Sequence, residues 1–281
     1  MRIGIDIGGT KIKAGLVEGN KVIKKIEIDT NGNGGKQEVL QNITKAIQTL
    51  MNDKVKEIGV GFPGPVDKNG VVQKSPHFDM VGENIKKHIE QKFKKKVLVD
   101  NDTNCMTIAE ARYGVGKGHK NFVMISIGTN IGGAIIADGK LYRGRWHAGE
   151  VGHMTINYDG VKSRCCNNYG CFGHYVSIEG LQENYGKEIL PEEIAELAMK
   201  GDKKAKEAYE QLGRRLGIGL MNLANILDPE VIIVGGGIAK SWKLFEKEMK
   251  KIMEERGFIK TKVVKAELRD GGIIGATLLF D

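Results

Sequence analysis

The feature that most constrains this chain is a short passage that occurs twice, 119 residues apart. Gly9-Thr10-Lys11-Ile12 returns as Gly128-Thr129-Asn130-Ile131, and Lys21-Val22 returns as Lys140-Leu141. In the first copy, residues 3–7 read as a strand, Gly8-Gly9-Thr10 as a turn and residues 12–17 as a second strand. Gly19-Asn20 then reads as a hairpin turn, and residues 22–28 as a third strand. The second copy keeps this order, its leading strand, residues 122–127, aligning after a shift of one residue. Helical patterning follows each copy, and then an apolar run that ends in glycines: Ile58-Gly59-Val60-Gly61-Phe62-Pro63-Gly64 in one, Val231-Ile232-Ile233-Val234-Gly235-Gly236-Gly237 in the other. A period this long is not that of a solenoid. It is that of two related α/β domains, the alternative being a coincidence of two glycine-rich hairpins.

Glycine is the outlier of the composition, with 39 in 281 residues, about twice the usual share of roughly 7%. No triplet period organises them, which excludes collagen. They follow short apolar runs, as turns that hold something close would. Hydrophobic residues at 41% and charged residues at 28% exclude a disordered chain. Leu40, Ile43, Ile47 and Leu50 make one helical stripe, and Ile85, Ile89 and Phe93 another. Residues 204–227 make a long helix that stops at Asp228-Pro229, and residues 242–255 one more, with Phe245, Met249 and Ile252 on one face. No apolar run approaches the ~18 residues of a membrane span, and Asp6 stands where a signal peptide needs an apolar core. The expectation is a soluble, cytoplasmic protein with no membrane partner. The net charge of +8 raises nucleic acid as a partner, but the lysines are mixed with acids, as in Lys86-Lys87-His88-Ile89-Glu90, and aromatics are only 6%. A solvated basic surface that also attracts an anionic small substrate is the better reading, with no nucleic acid partner.

Glycine turns present backbone N–H groups to an anion, and two such turns across a cleft would grip a polyphosphate from both sides. Asp6, on the strand into the first turn, is placed to hold Mg²⁺ through water. Competing nucleotide motifs fail: there is no G-x-x-x-x-G-K-[ST], and Lys240 stands at the last glycine of a dinucleotide fingerprint after Gly235-Gly236-Gly237. Val97-Leu98-Val99-Asp100-Asn101-Asp102-Thr103-Asn104 carries Asp102 to a strand-to-helix junction, where it is either a catalytic carboxylate or, with Thr103, a helix N-cap. Glu150 and His153 lie three apart in a glycine-rich stretch, able to reach a polyhydroxylated ligand, and His153 equally able to bind metal. Cys165, Cys166 and Cys171, with His153, make up the ligand count of a Cys₃His zinc site, although adjacent cysteines are an awkward ligand pair.

Taken together these segments resemble the ROK family of sugar kinases, in the actin-like, hexokinase-like ATPase superfamily, from Ile3 to Leu279. The carriers are Ile5-Asp6-Ile7-Gly8-Gly9-Thr10-Lys11, Gly61-Phe62-Pro63-Gly64-Pro65-Val66-Asp67, Asn101-Asp102-Thr103-Asn104, Gly128-Thr129-Asn130-Ile131-Gly132-Gly133, Glu150-Val151-Gly152-His153, residues 225–230 and Gly235-Gly236-Gly237. The resemblance implies two actin-like (ribonuclease H-like) α/β domains with a cleft between them: residues 1–116 plus 266–281 as the small one, 117–265 as the large one. It implies ATP-dependent phosphorylation of a hexose 6-hydroxyl, most simply of glucose, with Asp102 as general base and with Gly64, Asn101, Glu150 and His153 around the sugar. It places Asp6, Gly8, Gly9, Thr10, Lys11, Gly128, Thr129, Asn130, Gly235 and Gly236 on ATP and Mg²⁺. It further implies a structural Zn²⁺ on His153 and the cysteines, and a homodimer.

The chain departs from the family pattern at three points. The family's C-x-C-G-x-x-G-C, aligned on Gly170-Cys171, fits Cys166 but puts Arg164 at the first cysteine, beside Cys165. The family's sugar-binding Glu is Gly173, with His174 next to it as a candidate substitute, and Asn130 stands where a glycine is frequent. An N-acetylhexosamine (ManNAc or GlcNAc) kinase and a catalytically weak sugar-binding protein are the alternatives. A sugar-sensing repressor would carry a DNA-binding domain before the first hairpin, for which the sequence leaves no room.

Overall fold

The computed structural model describes residues 1–75, 78–164 and 166–281. In chain order it begins with β1 (Arg2–Ile7), β2 (Lys11–Glu18), β3 (Lys21–Asp29), α1 (Lys36–Leu50), β4 (Glu57–Phe62), α2 (Ile85–Phe93), β5 (Lys96–Asn101) and α3 (Asp102–Tyr113). There follow β6 (Phe122–Ile127), β7 (Ile131–Ala137), β8 (Lys140–Tyr142), α4 (Phe172–Tyr175), α5 (Ile178–Tyr185), α6 (Pro191–Met199) and α7 (Lys203–Leu227). The chain closes with β9 (Val231–Gly235), α8 (Glu246–Arg256), β10 (Lys262–Lys265) and α9 (Gly271–Leu278).

Among the described residues the strands form two five-stranded sheets, ordered β3-β2-β1-β4-β5 and β10-β9-β6-β7-β8. In each, an antiparallel meander of three strands continues into two parallel ones. Read from the meander edge, β8-β7-β6-β9-β10 repeats β3-β2-β1-β4-β5 strand for strand, so the sequence repeat is one topology built twice. The pairing also explains the one-residue shift. Ile7 is opposite Ile12, whereas Ile127 is opposite Ile131, so the second turn is one residue shorter.

The chain divides into two compact units. The first is Met1–Gly118 with Arg143–Ala148 and Leu268–Asp281; the second is His119–Tyr142 with Gly149–Glu267. In the first unit, every residue of α9 is buried, as a helix apolar all round must be. It lies so close to the sheet that a Cβ at Gly4 or Gly59 would overlap the carbonyl of Ile273 or Ala276. On the other face, Val39, Ile43 and Ile47 of α1 and Ile85 and Ile89 of α2 pack with Ile3, Ile5, Ile58 and Val60. Each such side chain contributes about 1.5–3 kcal/mol of burial. In the second unit α7 stops where its pattern breaks: Asp228 turns left-handed (φ 43°) ahead of Pro229. Gly219 of α7 leaves space for the Phe172 ring, which seats α4 on that helix. No helix among the described residues is long and apolar enough to cross a membrane.

Candidate active site

At the C-terminal ends of the parallel strands in the first unit, Asp6 is in register with Gly61, and Gly61 with Asp100. Strands in a sheet are about 4.8 Å apart, which puts the two acidic residues about 10 Å apart at the backbone, with both side chains on one face. Gly61 between them lets α3 start close to the sheet, since a Cβ there would stand 3.2 Å from Asp102 Cα and 3.4 Å from Cys105 Sγ. Burial pushes the Cys105 thiol well up, and Asp100, Asp102 and Asp6 push it further the same way.

The N-cap of α3 is Asn101, not Asp102 or Thr103. Asn101 has extended backbone, and its Oδ1 accepts the N–H groups of Thr103 (2.9 Å) and Asn104 (3.2 Å). Asp102 is therefore relieved of capping. Its Oδ1 accepts from Thr103 N (2.6 Å) and Oγ1 (3.3 Å), which orients the carboxylate in the first turn. Asn101 Nδ2 donates to the Gly64 carbonyl at 3.4 Å, which joins two of the residues expected around the sugar.

Asp100, almost wholly buried, holds this junction. Its Oδ1 accepts from Asn101 N (2.8 Å) and Asn104 Nδ2 (2.7 Å), and its Oδ2 from Arg143 Nε (2.9 Å) and Nη2 (2.7 Å). The Arg143 guanidinium lies over the Trp146 ring at 5.4 Å, and Trp146 has a φ of 76°, a strained value for a bulky residue. Sequence reasoning missed Arg143 as a functional residue. Forty-three positions separate it from Asp100, and no local pattern joins them; the only signal is an arginine directly ahead of the glycine-rich stretch.

The first Gly-Thr turn closes by Gly8 N–H to Lys11 O, 2.8 Å. Thr30, at the end of β3, steadies it by donating N–H to Thr10 O and Oγ1–H to Gly8 O, both 2.8 Å. Lys11 pairs with Asp29 at 2.6 Å, in solvent. A Cβ at Gly272 would stand 2.7 Å from Asp6 Cγ and Oδ2, so α9 begins against the Asp6 carboxylate because 272 is glycine. Burial pushes the Asp6 carboxyl up, while Lys13 and Lys25 pull it down.

In the second unit, Gly128 N–H donates to Asn130 O (3.0 Å), and Ile178 N–H, at the start of α5, donates to Gly128 O (2.9 Å). Asn130 Oδ1 accepts from Ile131 N at 2.8 Å. Gly235 is paired with Ser126, and Gly236 turns left-handed (φ 88°) where a Cβ would stand 2.8 Å from Ile127 C. Gly149 (φ 91°) and Gly152 pass against the backbones of Gly133 and Ile131. This carries Glu150 and His153 to β7, with His153 Nε2 3.6 Å from Glu150 Oε2. A Cβ at Gly173 would collide with Asn130 Oδ1, so two of the departures from the family pattern meet in space. The first unit thus gathers Asp6, Gly8, Gly9, Thr10, Lys11, Gly64, Asn101 and Asp102. The second gathers Gly128, Thr129, Asn130, Gly235, Gly236, Glu150 and His153.

Cys166 Sγ and Cys171 Sγ are 3.4 Å apart, and a His153 nitrogen completes a group of donors all within 4.8 Å. Desolvation raises the Cys166 thiol, but hydrogen bonds from the Asn168 backbone, Cys171, Ser163 and His153 outweigh it and bring the pKa to about 6. Two thiols, one of them already thiolate-prone, and an imidazole are a donor set that fits zinc. The expected fourth ligand, Cys165, lies outside the described residues, and Arg164 reaches away to Glu179 at 2.8 Å. His174 is buried in α4; its Nε2 is 3.1 Å from Glu183 Oε2 and its ring is edge-on to Tyr175.

Comparison with known proteins decides what this arrangement belongs to. The ROK family profile matches residues 2–281. The chain belongs to the ROK family. It is 30% identical to a glucokinase of Thermotoga maritima over 99% of this chain and 96% of that one. It is 32% identical to an N-acetyl-D-glucosamine kinase of Photobacterium profundum over 99% of each. A ROK family glucokinase of Streptomyces griseus, solved with glucose and AMPPNP, superposes with a TM-score of 0.90 at 31% identity, covering 99% of this chain and 98% of that one. The fold is accordingly the two-domain, actin-like α/β fold of the ROK kinases, with its two five-stranded sheets.

Proposed function

We propose that this ROK protein is an ATP-dependent hexokinase that phosphorylates the 6-hydroxyl of a hexose, with glucose as the preferred sugar. The observation that carries the reading is the placement of Asp102. Its carboxylate stands at the start of α3 with Asn101 doing the capping, and Thr103 holds one of its oxygens. Phosphoryl transfer asks for positioning and charge neutralisation more than for covalent chemistry. Asp102 orients the attacking hydroxyl and takes its proton. Gly64, Asn101, Glu150 and His153 bind sugar hydroxyls.

The backbone N–H groups of Gly9, Thr10 and Thr129 hold the phosphates, as glycine turns do, while the N–H groups of Gly8 and Gly128 close the two turns. Gly8 and Lys11 of the first turn, and Gly128, Asn130, Gly235 and Gly236 of the second unit, are the other residues assigned to the nucleotide. Asp6, a carboxylate near the end of β1 and beside the first turn, supplies the oxygen donor for a hydrated Mg²⁺. When bound, the ion neutralises charge on the transferring phosphate. His153, Cys166 and Cys171, with Cys165, would hold a structural zinc that braces the 153–171 loop. Full-length similarity to a glucokinase and to the glucose–AMPPNP complex supports this reading.

The second reading is an N-acetylhexosamine kinase. Gly173 favours it, because a missing carboxylate removes hydrogen bonds that a glucokinase of this family would make to the sugar, and the GlcNAc kinase similarity agrees. Release of ADP measured over a panel of hexoses and N-acetylhexosamines separates the two. Glucose should give the highest kcat/KM, and Asp102→Ala should lower kcat by about 10²–10⁴. Background ADP with every sugar would refute the kinase reading and leave a sugar-binding protein; an active Asp102→Ala would refute the role of the base.

A further inference from the structure

A second group of metal-binding side chains lies outside the cysteine cluster, at the junction of α4 and α5. His174 comes from α4; Glu179 and Glu183, four residues apart, share one face of α5. One nitrogen and two carboxylate oxygens, one from each residue, all lie within 4.8 Å of one another. His174 is only 7% exposed, and among the described residues neither of its ring nitrogens makes a hydrogen bond. Its Nε2 comes within 3.1 Å of Glu183 Oε2 without the alignment a hydrogen bond needs. A buried imidazole in that position is short of a partner, and the atoms it faces are anionic oxygens.

We propose that His174, Glu179 and Glu183 form a second divalent-cation site, made of nitrogen and oxygen donors only. A cation with ligand distances of about 2.1 Å needs donors about 3–4 Å apart, which small rotations of the two glutamates supply. The glutamates are partly exposed, so water completes the coordination. One imidazole with two carboxylates suits Mn²⁺, Co²⁺ or Zn²⁺ better than Mg²⁺, which prefers oxygen alone and keeps its waters. The competing cation is Arg164, whose Nε is 2.8 Å from Glu179 Oε1. The Arg164 side chain is 77% exposed, so the arginine is well solvated away from Glu179 and yields to a divalent ion. The cation would tie α4 to α5, and α5 begins at the Ile178 N–H that holds Gly128 O. The site therefore braces the second Gly-Thr turn, whatever that turn binds.

Cobalt distinguishes this site from the cysteine cluster, because cobalt on thiolate gives intense near-ultraviolet charge-transfer absorption and cobalt on nitrogen and oxygen does not. The full chain, stripped with chelator, is dialysed against Co²⁺ without nucleotide, and bound metal is counted beside the absorption spectrum. The wild type should hold about one equivalent that adds no thiolate absorption, in excess of any on the cysteines. Glu183→Gln and Glu179→Gln should each lose that equivalent and keep the thiolate band unchanged; Glu183 is exposed, so Glu183→Gln tests the site without placing folding at stake, whereas one Glu179 oxygen is buried. A wild type with no cobalt beyond the thiolate-bound ion, or variants that retain the extra equivalent, would overturn the proposal. Neither outcome bears on ADP release, so the sugar-kinase reading stands or falls separately.

Discussion

Gly173→Ala tests the fit between Gly173 and Asn130. A Cβ at 173 would stand 3.1 Å from both Asn130 Cγ and the Gly152 carbonyl oxygen, and well inside contact with Asn130 Oδ1. Gly173 lies in α4 without a left-handed φ, so alanine there should by itself be favourable by about 0.5–1 kcal/mol. The collision reverses the sign. If Asn130 stays, the overpacking costs about 1–3 kcal/mol. If it swings away, the Ile131 N–H loses its 2.8 Å partner, again at about 1–3 kcal/mol. At about 2–4 °C per kcal/mol for a chain of this size, the net cost should lower Tm by up to about 10 °C. In an Asn130→Gly background the same change should be neutral or stabilising, whatever Asn130→Gly costs alone. Calorimetry of the four proteins gives the coupling as a double-mutant cycle. Equal effects of Gly173→Ala in both backgrounds would refute the claim that Asn130 occupies the space a side chain at 173 needs.

Arg143→Met should destabilise the protein by about 3–5 kcal/mol, because it leaves the buried Asp100 carboxylate without its cation, and urea unfolding reads this directly. Asp6→Asn should raise stability at neutral pH while abolishing kinase activity. The folded state raises the Asp6 pKa, so the wild type loses stability as pH rises from the unfolded carboxylate value through the folded one; in the variant, that part of the pH dependence of Tm should vanish. Cys171→Ser should remove the zinc held at the cysteine cluster, read as the loss of about one equivalent by elemental analysis, and chelation of the wild type should lower Tm by several degrees, as loss of a structural ion does.

Much of the fold was legible because it is written in short-range chemistry. Turn glycines, alternating strands and the Asp228-Pro229 stop act over a few residues, and the internal repeat announced two related domains before any pairing was seen. The helix at Asn101-Asp102 was legible only as a junction. Asn and Asp are both good caps, and the choice between them depends on which backbone is extended and which N–H groups face it. Arg143 was not legible, because its partner, Asp100, lies on β5, 43 positions away, and the 143–148 segment joins the first unit although it follows a strand of the second.

By itself the sequence determined the two Gly-Thr turns, the strand order around them and the kinship of the whole chain, since each follows from local backbone preferences and recurring motifs. Tertiary structure alone decided which side chains share a space. It set Asn130 against Gly173, Arg143 on Asp100, and His174 before two glutamates. The first two arise because packing brings distant segments within a few ångströms, and the third because the break between α4 and α5 turns His174 back on the next helix; no spacing along a chain records either.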